Sequence, residues 1–100
     1  MPVRKMRKPS VANEDKLRAD LVAELRNPKD SGEPDIIIDT PHRSTIHLYV
    51  VWEKWNDLEQ TVRSRIILDA FEQVKGAKKA DDVVLAMGLT RAEADRLGIK

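Results

Sequence analysis

Cysteine is absent from the chain, so disulfides and thiolate-bound metals are excluded. Aromatic residues number only four, Trp52, Trp55, Tyr49 and Phe71, which leaves little material for a broad stacking surface. No apolar run approaches the twenty or so residues that span a bilayer. The first residues also lack the long apolar stretch of a secretory signal, so the expectation is a cytoplasmic protein with no membrane partner. No Gly-rich phosphate loop, Ser/His/Asp order or close carboxylate pair occurs, and His42 and His47 carry no metal-ligand spacing. The chain therefore reads as non-enzymatic and free of cofactor.

What is present is charge, unevenly placed. Lys and Arg total 18 against 17 Asp and Glu, a formal charge of +1 over 100 residues. Arg4, Lys5, Arg7 and Lys8 crowd into the first nine positions, leaving 14 basic and 17 acidic side chains, a net of −3, on the rest. Residues 1–10 are expected to form a disordered basic arm, and residues 11–100 a single domain. Such an arm can release counterions from a polyanion.

The body predicts an α+β fold in the order helix, strand, strand, helix, possible strand, helix. Leu17, Leu21 and Leu25 make one apolar stripe, capped by Ser10 or Asn13 and stopped at Asn27-Pro28. Asp35–Asp39, DIIID, and Ile46–Trp52 are β-branched or apolar runs that pair as an antiparallel hairpin. The second is apolar on both faces. Asn56 with Glu59 suggests a capping box for a long central helix ending at Gly76. Its stripe is Leu58, Val62, Ile66 and Ala70, widened by Ile67, Phe71 and Val74. Residues 83–85 fit either a buried strand or the middle of a helix. Thr90 with Glu93 is a second capping box.

Two arginines interrupt the central helix. Positions two apart point about 200° apart, so Arg63 and Arg65 cannot grip one ligand together. Arg63 projects into the apolar arc and needs an acceptor: Glu59, a strand carbonyl or a partner's phosphate. Arg65 reads as scaffolding, with Asp69 four residues on. Trp52 reads as core. Trp55 is either a seal on the core or an exposed contact for a base or a protein. The candidate contact set is thus Arg4, Lys5, Arg7, Lys8, Arg43, Lys54, Trp55 and Arg63, with Lys78-Lys79 in support.

The stretch from His47-Leu48 through Trp55 to Arg63-Ser64-Arg65 and Ile66-Ile67-Leu68, with VLAMGLTRAE later, resembles BolA-like proteins, whose fold relates to the type II KH domain. The family has a histidine-led strand, an aromatic at the turn and an Arg-His-Arg triplet early in the next helix. The resemblance implies a KH-like α+β core and an adaptor or nucleic-acid role. It departs at Ser64, where the triplet has histidine, at Asp57, where a glycine is usual, and at Leu85. There the family has the histidine that would share an iron–sulfur cluster with a glutaredoxin, so no cluster is expected here. A G-x-x-G loop of the KH type is also missing. The expected partners are nucleic acid, RNA or DNA, or another protein. The alternatives are a helix-turn-helix at residues 81–97 presenting Arg91 and Arg96, and a homodimer or protein-interaction domain using the hairpin edge or Trp55.

Overall fold

A computed structural model describes residues 7–99, with side chains from Glu14 onward. Helix α1 (Arg7–Arg26) leads to a hairpin of β1 (Asp35–His42) and β2 (Thr45–Val51). A short 3-10 turn (Glu53–Trp55) precedes α2 (Gln60–Lys75) and the single turn α3 (Ala77–Ala80). Strand β3 (Val83–Leu89) and α4 (Arg91–Leu97) complete an α+β domain. Of the expected arm, residues 1–6, including Arg4 and Lys5, lie outside the described residues. The helix backbone already includes Arg7 and Lys8. Ser10 and Asn13 therefore lie inside α1 rather than capping it, and Pro9 falls in the first turn, where a missing N–H costs nothing.

The sheet runs β1-β2-β3, antiparallel and then parallel. β3 removes the helix-turn-helix alternative: residues 83–89 are extended alongside β2, from Ile46↔Val83 to Val51↔Leu89. The β-branched pair Val83-Val84 and the pairing partner in β2 override whatever helical pattern the run carries. β1 also reaches three residues further than DIIID. The hairpin closes through Arg43 and Ser44, with Ser44 at φ 59°, and an irregularity between Asp39 and His42 bends the edge near the turn.

Both faces of β2 are used, as its double apolar pattern requires. Ile46, Leu48 and Val50 face α1 and α2, packing with Leu17, Leu21, Ile66, Ile67, Ala70 and Phe71. The other face carries a smaller cluster of Val51, Leu89 and Ala94, with Ile37, Tyr49, Met87 and Ile99 half-buried around it. Helices α1 and α2 are tied by Arg65–Glu14 (3.0 Å) and Arg18–Asp69 (3.2 Å). These pairs replace the expected Arg65–Asp69 contact, because each side chain finds its partner on the neighbouring helix.

The ends of the helices divide. Gly76 (φ 95°) stops α2, and Thr90 with Glu93 forms the expected reciprocal capping box on α4. Asn56 and Glu59 form no such box. The helix starts at Gln60 with Glu59 at the cap position and no side-chain cap bond. Trp55 explains the delay. Its ring is fully buried, edge-on to Trp52 at 5.2 Å, and its indole N–H donates to the Val50 carbonyl at 2.9 Å. That anchor holds Glu53–Trp55 in a separate turn.

Candidate nucleic-acid interface

Arg63 is 6% exposed, and its acceptors all lie within the chain. Nε donates to the Leu58 carbonyl (2.8 Å), while Nη1 donates to the Gly88 carbonyl (2.9 Å) and to Glu93 (2.8 Å). Gln60 brackets the same Gly88, accepting from its N–H and donating to its C=O at 2.8 and 2.9 Å. Ser64 donates to the Ala86 carbonyl. One turn of α2 thus satisfies backbone groups at the end of β3 and locks the first turn of α4. Arg63 and Trp55, candidates for ligand contact on sequence grounds, are internal fasteners. Of the expected acceptors, a strand carbonyl is used, that of Gly88 in β3, while Glu59 is replaced by Glu93, thirty residues on.

Glu93's carboxyl is held below the usual glutamate range, first by the Thr90 N–H and then by the Arg63 guanidinium, against partial desolvation. A carboxyl whose native pKa is depressed adds stability above its unfolded pKa and loses it as pH falls through the native one. Acidification from neutral pH through the carboxylate range should therefore lower the urea midpoint. Glu93→Gln should shrink that fall; an acid limb unchanged in this variant would assign the loss to other carboxyls, such as Glu24 paired with Lys29.

The remaining described candidates are not brought together. Arg43 sits in the turn before β2, while Lys54 lies beyond its far end with its ammonium 5.9 Å from the Trp52 ring centroid. Seven strand residues, about 23 Å, separate the two ends. Arg43 instead shares a cleft of about 580 Å³ with Lys79, a supporting candidate, and with Lys75, which lies outside the candidate set. Ile38, Ile46 and Phe71 line its apolar side, and Lys75 and Lys79 join Arg43 among the charged lining residues. Asp82 supplies the only carboxylate in the lining. Lys78, next to Lys79 in α3, is exposed but does not line the cleft. Among the described residues, no ion pair engages Arg43, Lys75, Lys78 or Lys79.

No family model, curated protein or solved structure matches the chain. What the site can hold thus follows from its own chemistry. Three cations around an apolar bed, with Ile38 left 48% exposed, suit an anionic chain with an apolar component better than a small neutral molecule. A second cavity of about 440 Å³, beneath residues 28–36, mixes Glu24, Asp30 and Asp35 with Lys29, Lys75 and Arg91 and so has no single sign. Among the described residues, no cluster of His, Asp or Glu could hold a metal, and no helix is long and apolar enough to cross a membrane.

The signal for the basic end was present in the sequence as Lys75-Gly76-Ala77-Lys78-Lys79, three lysines astride the glycine that ends α2. Only the fold shows that β3 starts just after them and returns alongside β2, so that this run meets the hairpin turn.

Proposed function

We propose that the chain is a small non-catalytic interaction domain, related to the BolA-like and KH-like folds, that binds nucleic acid at the end formed by the hairpin turn and the α2–α3 junction. The observation that carries this reading is the gathering of Arg43, Lys75 and Lys79 around one cleft, with Lys78 adjacent and none of the four in an ion pair among the described residues. Arg4, Lys5, Arg7 and Lys8 add positive charge that favours the approach of a polyanion. A cytoplasmic setting fits this role. A shared iron–sulfur cluster does not, since Leu85 replaces the ligating histidine and the chain has no thiolate.

Four phosphate contacts to a single strand give a salt slope near −3, so affinity should drop about fiftyfold between about 50 and about 200 mM salt. Fluorescence anisotropy with a labelled 15-nucleotide strand measures it. Reversing charge with Arg43→Glu and Lys79→Glu should weaken binding at least about tenfold while the circular dichroism spectrum stays unchanged. Wild-type protein that ignores the strand at low salt, or binds it equally at both concentrations, contradicts the reading.

A second reading is favoured by the open face of the sheet. Ile37, Tyr49 and Met87 lie side by side across the three strands, only half-buried, and Val84 at the β3 edge is 62% exposed. Such a surface suits a second copy of the chain or a protein partner. Sedimentation over a wide dilution range tests self-association; a single monomer mass throughout removes it.

A further inference from the structure

Resting on the nucleic-acid reading above, we infer that the cleft holds the sugar–phosphate backbone and leaves the bases unread, so that binding is independent of base sequence and survives removal of the bases. Base recognition in single strands depends on flat side chains that stack on unpaired bases. The chain has four aromatics, and every one is placed. Trp52, Trp55 and Phe71 are all at most 3% exposed and are used in the core. Tyr49 stands on the opposite face of the sheet from Phe71 and the cleft, in edge contact with His47.

What remains at the cleft is charge and aliphatic surface. Arg43, Lys75 and Lys79 are suited to phosphate oxygens, and the half-exposed Ile38 can lie against a sugar. Phe71 also lines the cleft but is only 2% exposed, so His42 is the one exposed aromatic ring in the lining. It could support a single base, and a variant tests that directly. Tyr49 cannot serve as a platform for the same strand, because Asp35 and Asp39 flank its apolar row in the strand alongside, where they oppose a phosphate chain.

The test uses the full chain in anisotropy competition at low salt against a labelled dT 15-mer. Competitors are dA, dC and dT 15-mers, an abasic strand of equal length and charge, and inorganic polyphosphate of matched charge. All four strands should compete within about fivefold of one another, less than the loss expected from removing one stacked base. His42→Ala should stay within the same factor. An abasic strand more than about fivefold weaker than dT, a base preference of that size, or an equal loss in His42→Ala would overturn the inference. So would polyphosphate binding more than about fivefold tighter than the abasic strand, which would assign the cleft to an inorganic polyanion. Failure of every strand to bind would instead remove the nucleic-acid reading on which this rests.

Discussion

Arg63→Met should cost about 3 kcal/mol of folding stability, a large share of the roughly 5–15 kcal/mol expected for a domain of this size. The side chain of methionine fills much of the same volume but donates nothing. The Leu58 carbonyl loses the guanidinium, and Glu93 is left as an anion beside a partly desolvated site. The Gly88 carbonyl keeps its bond from Gln60, and Glu93 can turn toward water because its side chain is more than a third exposed. Those two retreats hold the loss below the upper end for a broken buried pair. Lysine should not rescue the variant, because one ammonium cannot reproduce the guanidinium's fork toward Leu58, Gly88 and Glu93. The opposite deletion is milder. Glu93→Gln leaves Arg63 bonded to two carbonyls, and the expected cost is about 1 kcal/mol. Urea unfolding of the three variants measures the order; a loss from Glu93→Gln equal to that from Arg63→Met would show that the charge pair, not the carbonyl contacts, dominates.

Trp55→Ala should be more damaging still, by about 3–5 kcal/mol. The ring is fully buried, packs edge-on against Trp52 and lies over Gly88, where an added Cβ would come within 2.8 Å of both the indole and the Arg63 Cβ. Strand and helix therefore close around the indole with no spare room, and truncation leaves a cavity the backbone cannot collapse into. Trp55→Phe keeps most of the buried area and loses the bond to Val50, so a smaller cost of about 1–2 kcal/mol is expected. Thermal or urea unfolding checks both. A near-neutral Trp55→Ala would mean that the indole is not enclosed as described.

The separation between residues that hold the fold and residues that could meet a ligand was only partly visible in one dimension. Local signals carried well. The two-faced apolar pattern of β2, the stripe from Ile66 to Phe71, Gly76 after α2 and the Thr90–Glu93 box each act within a few residues, and each appears where its spacing places it. Signals decided by distant partners did not carry. Residues 83–89 become a strand because β2 offers a parallel edge, and the Asn56–Glu59 box fails because Trp55 is anchored in the core. Arg63 looked like a contact residue because its acceptors, Gly88 and Glu93, lie 25 and 30 residues away in sequence. The same limit left Arg43 and Lys78-Lys79 as separate candidates and passed over Lys75. Lys75 and Lys79 become neighbours of Arg43 only after the βαβ crossover returns the chain to the start of β2.

The proposed binding end bears Thr40–Thr45 and Lys75–Lys79, whereas Trp55 and Arg63 at the start of the central helix are buried fasteners. Amide chemical-shift mapping with a single-stranded oligonucleotide at low salt separates these directly. Perturbations should concentrate in the hairpin turn and the α2–α3 junction, with residues 53–65 silent. Perturbations concentrated in residues 53–65, with the hairpin turn unchanged, would contradict that placement.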